Sequence, residues 1–175
     1  IMKLDMQMAI NVQHSFFPKS APLSQEWETA YVFKPMSGVS GDLYDFYTHD
    51  GTLNGASMMD VSGHGIASGL ITMIAKSIAF RKFTGMPGEK LSVILEQINN
   101  ELIQELGGVD NYLTGIMLRM QGDMVEYVNA GHTELLFKNG ETGATRIVSP
   151  KNDRMFKGHF LGVEAMQQKY NVLTF

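Results

Sequence analysis

The 175-residue sequence contains no cysteine. Disulfides, thiolate metal sites and a cysteine nucleophile are therefore excluded, and any metal must bind oxygen or imidazole. It also lacks an excess of positive charge. Fourteen Lys and Arg stand against 18 Asp and Glu, the net charge is −4, and the two signs are mixed along the chain. No basic stripe exists to neutralise nucleic-acid phosphates, so nucleic acid is not an expected partner. Long apolar runs are missing as well. Leu70-Ile71 and Met73-Ile74-Ala75 are interrupted by Thr72, Lys76 and Arg81, well short of a membrane span. The start Ile1-Met2-Lys3-Leu4-Asp5 has neither the basic-then-apolar order nor the small-residue cleavage site of a secretory signal, and a cytoplasmic location is expected. There is no internal repeat and no low-complexity segment.

What is present suits one domain with a substantial core, since 44% of residues are apolar. The 13 methionines read as adaptable core filling. Apolar residues from Met2 to Phe17 recur near helical spacing until Pro18, which predicts a lead-in helix within a linker of residues 1–20. The domain itself is expected over 21–175. Tyr31-Val32-Phe33 reads as a short strand closed by Pro35. Leu43 to Tyr47 and Leu53 to Val61 read as a hairpin around His49-Asp50-Gly51. Helical periodicity then runs from Ile66 to about Phe83 and from Leu91 to Leu106, stopped by Gly107-Gly108. Strand-like runs follow at Tyr112–Met120, Met124–Asn129, Leu135–Phe137, Thr145–Val148 and Tyr170–Phe175. Strands before and after a helical pair predict an α+β fold, a layered β-sandwich of antiparallel strands flanked by helices, with the two long helices together on one face.

Two acidic residues stand at glycine-rich corners beside apolar strands, in Ser40-Gly41-Asp42 and in Asp60-Val61-Ser62-Gly63-His64-Gly65. An isolated corner of this kind reads equally as an Asx-turn or a helix N-cap. Antiparallel pairing, however, brings both carboxylates to the same end of the hairpin, where they repel unless a cation lies between them. Oxygen donors of this type suit a hard divalent ion such as Mg²⁺ or Mn²⁺.

The order of SGD corner, DVSGHG corner, long helix and, much later, Asn129-Ala130-Gly131-His132 resembles the SpoIIE/RsbU-like serine phosphatases, which are protein phosphatase 2C-like. Ser40 to Asp45 is similar to that family's GGD-(F/Y)-Y-D segment, Asp60 to Gly65 to its DVSGHG, and residues 129–132 to its NAGH turn. Gln13 to Pro18 looks like the family's Q-x-x-(L/F)-(L/F)-P entry. The resemblance implies a protein phosphatase 2C-like fold and a metal-dependent enzyme that hydrolyses phosphoserine or phosphothreonine of a signalling protein with a metal-activated water. It implies two Mn²⁺ or Mg²⁺ ions, with Asp60 bridging, Asp42 on one ion and the Val61 carbonyl as a further donor. His64 is implied as a proton donor, although the family also places Lys there and a solvated helix-start residue is the competing reading. His132 and Asn129 read first as a tie within the turn, and Asp45 as a hydrogen-bonding or surface residue. The Ser62 hydroxyl reads as an N-cap to the Ile66 helix.

The first corner departs from the family in carrying Ser40 where Gly is usual. The family's later T-D-G-x-x-E segment, with its additional acidic ligand, has no counterpart in these residues, so only part of the metal site is expected here. Implied partners are a phosphorylated regulator such as an anti-sigma-factor antagonist, and an upstream sensor or receiver domain coupled through the lead-in helix, which could pair in a homodimer. Two other readings remain open at this stage. One is a phosphatase-fold module that binds or senses without catalysis. The other is a GHKL-type ATPase, against which the order argues, because Ile98-Asn99-Asn100 follows the Asp-Gly box instead of preceding it.

Overall fold

The computed structural model describes residues 2–35, 38–150, 156–164 and 169–175. Helix α1 (Met2–Phe16) leads into an extended connection. A hairpin of β1 (Asp42–His49) and β2 (Thr52–Val61) follows, turning at Asp50-Gly51 with both residues at positive φ. Helices α2 (Ile66–Gly85) and α3 (Leu91–Glu105) come next, then β3 (Leu113–Gln121), β4 (Met124–Ala130), the short pair β5 (Leu136–Lys138) and β6 (Thr145–Ile147), and β7 (Leu173–Thr174). The main sheet has the order β1-β2-β3-β4-β7, every pairing antiparallel.

Alternation along the strands divides the sheet's two faces. Leu43, Tyr47, Met59, Val61, Leu113, Met117 and Val128 are buried in one cluster with Ile71, Ala75 and Ile78 of α2 and Leu91, Ile94, Leu95, Ile98 and Leu102 of α3. Period-2 burial on strands meets period-3.6 burial on helices, and this fixes both helices on the same face. On the opposite face Tyr127, Val148 and Phe156 form a smaller cluster joined by Ile116, Leu118, Leu135 and Phe137, so the β5–β6 ribbon and its flanks lie over that side of β3 and β4. The antiparallel, helix-flanked layering expected from the sequence is therefore what the chain adopts.

Two local expectations are corrected. Tyr31-Val32-Phe33 is not a strand. Its backbone is irregular because aromatic packing directs it: Tyr31 and Phe33 lie 4.9 and 5.2 Å from the Tyr44 ring, and Phe17 stacks on that ring at 5.4 Å. The last run shortens to Leu173–Thr174, although Phe175 still exchanges backbone hydrogen bonds with Val125.

The lead-in helix is bound to the core by one polar side chain. Gln13, 3% exposed, accepts the Ser40 N–H at 2.8 Å and donates to the carbonyls of Ser40 at 2.8 Å and Gly69 at 3.2 Å. A buried amide that satisfies three backbone groups specifies position as well as stability.

Packing also requires a missing side chain at Gly55. A Cβ there would lie 2.3 Å from the Phe83 ring and 2.9 Å from the Leu118 carbonyl. The flat strand surface lets Phe83 stack on Tyr47 at 4.1 Å. Gly55→Ala is expected to lower stability by about 1–3 kcal/mol through overpacking. Urea unfolding of both proteins measures the difference, and equal midpoints would show that α2 shifts without cost.

Candidate metal and phosphate site

The register places Asp42 directly opposite Asp60, and Asp60 in turn opposite Thr114 of β3. Facing residues on neighbouring antiparallel strands project to the same side of a sheet. The three form a transverse row on the face away from the helices. Facing each other across the β1–β2 ladder, the two carboxylates act on each other electrostatically. Partial burial, and then the Asp42 charge, push the Asp60 carboxyl above the usual range, while the nearby His132 imidazole counteracts this.

The corners that carry these acids are held by backbone contacts. Val61 N–H donates to the Gly41 carbonyl at 3.0 Å. Gly41 runs so close to β2 that a Cβ on it would lie 3.1 Å from the Val61 carbonyl oxygen. Thr72 of α2 donates toward the carbonyls of Ser40 and Gly41, at 3.2 and 3.0 Å, and the Ser40 hydroxyl accepts the Asp42 N–H at 3.1 Å. Ser40, where a second glycine was anticipated, thus contributes a hydrogen bond to the corner. Gly63 and Gly65 take positive φ, which allows the chain to reverse before α2.

His64 lies on the exposed outer side of this reversal. Ser62 does not cap α2. The N-cap is Gly65, without a side-chain bond, and the Ser62 hydroxyl accepts the Tyr112 N–H at 2.9 Å while Asn111 Nδ2 donates to the Ser62 carbonyl at 2.6 Å. Ser62 therefore joins the corner to β3, which local sequence cannot reveal. Asp45 is buried on the helix face, ion-paired with Lys76 of α2 and accepting the Phe46 N–H at 3.0 Å. It faces away from the acid pair. Asn99 accepts the Gly162 N–H at 2.8 Å from inside the core, and cannot present its amide to a nucleotide.

His132 is the residue whose placement the sequence least discloses. Its N–H is accepted by Asn129 Oδ1 at 2.8 Å, and Asn129 Nδ2 donates to the Tyr127 hydroxyl at 2.7 Å and to the His132 carbonyl at 3.2 Å. The ring reaches outside the turn, with Nδ1 2.8 Å from Thr114 Oγ1. Burial lowers its pKa, opposed by the Asp60 and Asp42 charges. Asp42 and His132 line one end of a cavity of about 440 Å³ whose remaining wall includes Tyr31, Phe46, Met58 and Ile116.

Paired carboxylates beside a backbone carbonyl are the donor chemistry of hard divalent ions. Burial raises Asp60 first and the Asp42 charge adds to it; that second contribution is the kind a cation relieves, so Asp42, Asp60 and the Val61 carbonyl are a donor set that fits such an ion. Among the described residues no group of three or more His, Cys, Asp or Glu side chains assembles to hold one.

Comparison with known proteins gives this geometry a context. Residues 51–170 match the family described as Stage II sporulation protein E (SpoIIE). The chain is 31% identical over 140 residues to the phosphoserine phosphatase RsbP of Bacillus subtilis, covering 78% of this chain and 34% of that protein. It therefore spans about a third of that relative's length. Among solved structures, the SiaA-PP2C domain of Pseudomonas aeruginosa superposes with a TM-score of 0.76 at 14% identity, covering 99% of this chain and 66% of that one. The catalytic domain of the serine/threonine phosphatase PstP, in complex with two manganese ions, gives 0.52 at 9% identity, covering 78% and 65%. At these identities the superpositions establish the fold.

The raised Asp60 carboxyl has a stability consequence in chelated protein. A carboxyl whose folded pKa lies above its unfolded value contributes stability below the unfolded pKa, and that stability is lost as pH rises through the folded pKa. Metal-free protein should therefore lose stability as pH rises through the acid range, and Asp60→Asn should flatten that loss and be the more stable protein at neutral pH. Thermal unfolding in EDTA across pH measures this. Parallel pH profiles for the two proteins would show that Asp42 and Asp60 do not repel.

Proposed function

Because the chain belongs to the SpoIIE family and carries its protein phosphatase 2C-like domain, we propose that it is the catalytic core of a metal-dependent phosphatase acting on phosphoserine or phosphothreonine of a signalling protein. The observation that carries this reading is the Asp42–Asp60 pair, set opposite each other at one end of the sheet between glycine corners. The phosphoserine phosphatase activity in the name of the RsbP relative and the manganese in the PstP structure support it.

Bound Mn²⁺ or Mg²⁺ supplies Lewis acidity and an acidified water for phosphoester hydrolysis. Asp42 and Asp60 hold the ions, the Val61 carbonyl adds a neutral donor, and Gly41 permits the close approach of that carbonyl to the first corner. His64, exposed just before α2, is the residue assigned here to donate a proton or hydrogen bond to the departing seryl oxygen, on the family resemblance of the DVSGHG corner. The substrate fitting the family is a phosphorylated regulator such as an anti-sigma-factor antagonist. Helix α1 belongs to the lead-in of residues 1–20 and, through Gln13, transmits the position of an upstream sensor or receiver domain, or of a second copy, to the Ser40–Asp42 corner of the 21–175 domain. No helix among the described residues is long and apolar enough to cross a membrane.

A second reading, a phosphatase-fold module that binds phosphoprotein without hydrolysing it, draws on the absence of a three-ligand cluster among the described residues. Hydrolysis of a phosphoserine peptide by the intact protein with Mn²⁺ separates the two. In that assay Asp60→Asn should abolish turnover at low Mn²⁺ with folding preserved, and excess Mn²⁺ should restore part of it. His64→Ala should reduce the rate by about 10²–10⁴-fold, and extra Mn²⁺ should not repair it. Near wild-type turnover by Asp60→Asn at low Mn²⁺ would remove Asp60 from the centre of the site.

A further inference from the structure

Asp42, Asp60 and Thr114 occupy successive strands in one row, and His132 closes the row by bonding Thr114. We propose that His132 is a phosphate-positioning residue, donating a hydrogen bond from Nε2 to a non-bridging oxygen of the phosphoryl group held beside the Asp42–Asp60 pair. This rests on the phosphatase reading of the site and assigns a task to a side chain that the reading leaves unused.

The turn does not need the imidazole. Asn129 takes the His132 N–H and returns bonds to the His132 carbonyl and the Tyr127 hydroxyl. Gly131, at φ 66°, lies so close to Phe160 that a Cβ would stand 2.5 Å from the ring. Backbone and amide alone fix the corner. The ring is then a separate feature, carried to the acid pair's own row and held by a β-branched residue with few rotamers. In the neutral tautomer that this role requires, the Thr114 hydroxyl donates to Nδ1 and the ring proton sits on Nε2, which makes no hydrogen bond among the described residues. A half-buried, directed N–H shares a cavity wall with Asp42. Once cations neutralise the two carboxylates, an anion is the species that satisfies it. Lys157 lies near enough to act on the imidazole and adds positive potential on the same side, tempered by its 3.7 Å pairing with Glu134.

The test uses the intact protein with Mn²⁺, a phosphoserine peptide, and inorganic phosphate as product inhibitor. His132→Ala should raise KM and the phosphate inhibition constant together by about 10- to 100-fold, the loss expected for one hydrogen bond to a charged group. The Mn²⁺ concentration for half-activation should stay unchanged and kcat should move less than KM. His132→Gln, whose amide still donates, should recover part of the loss. Thr114→Val should give a smaller change in the same direction. A lowered Tm with unaltered phosphate inhibition would reduce His132 to a structural tie and overturn the proposal. So would a shifted Mn²⁺ requirement with unaltered phosphate inhibition, which would make His132 a metal ligand. Should His132→Ala fail to fold, the Gln and Val variants decide on the same readouts. Should the wild-type protein not hydrolyse the peptide, calorimetric binding of inorganic phosphate with Mn²⁺ present takes over. Weaker binding by His132→Ala, restored in part by His132→Gln, upholds the inference although the phosphatase reading has failed, and binding by His132→Ala equal to that of the wild type defeats it.

Discussion

Two like charges held face to face are the constraint around which this chain is organised. Asp42 and Asp60 repel, and nothing local to either corner favours their approach. The β1–β2 register imposes it, through a ladder that runs from this pair to the turn at Asp50-Gly51. The register in turn is enforced by the core, because slipping one residue would exchange Leu43, Asp45 and Tyr47 with Tyr44 and Phe46 between faces. Burial of Leu43, Tyr47, Met59 and Val61 against α2 and α3 thus offsets the electrostatic cost at the end of the hairpin. The Asp45–Lys76 ion pair shows the alternative treatment of a carboxylate on the same strand. Turned toward the helices, it receives its cation from the chain itself.

Reading the sequence succeeds where periodicity and position carry the information. The hairpin, both long helices and the shared end of the two acids all follow from alternation, helical spacing and glycine placement. It fails where a side chain's partner lies far along the chain. Tyr31 and Phe33 have the composition of a strand, yet their rings are drawn onto Tyr44 and no strand among the described residues pairs with their backbone. Ser62 has the position of an N-cap, but Tyr112, fifty residues on, supplies its donor. The lead-in helix was visible as a helix, while the role of Gln13 depends on Ser40 and Gly69. The NAGH turn divides along the same line. The Asn129 amide ties the turn as expected, but to the His132 backbone and not to its imidazole, and the bond from the ring to Thr114 crosses between strands and has no signature in either segment.

The two faces of the sheet carry different duties. The helix face supplies cohesion, with close packing that extends from Phe83 over Gly55 to the Leu91–Leu102 stripe. The opposite face supplies a row of polar groups at one end and an apolar wall of Tyr31, Phe46, Met58 and Ile116 beyond it. Asp42 and Asp60 are exposed, and the apolar wall beside the row removes water from one side only, which lessens the screening there. Repulsion between the acids grows for the same reason, as does their attraction to any cation and the value of a directed donor toward a bound anion.

That symmetry links folding to function at this site. A pair that opposes folding when its charges are uncompensated becomes a source of stability when a cation binds, because binding to the folded register alone shifts the folding equilibrium toward it. The corners convert this into positional control. Thr72 of α2 and Gln13 of α1 both bond the Ser40 carbonyl, and Val61 N–H bonds that of Gly41. The spacing of the acids is therefore tied to where both helices sit. A displacement of α1 that breaks the Gln13 bonds leaves the buried Ser40 N–H without that acceptor, and the peptide adjoining Asp42 must move to find another. Through this connection a change at the lead-in helix reaches the carboxylates without passing through the core.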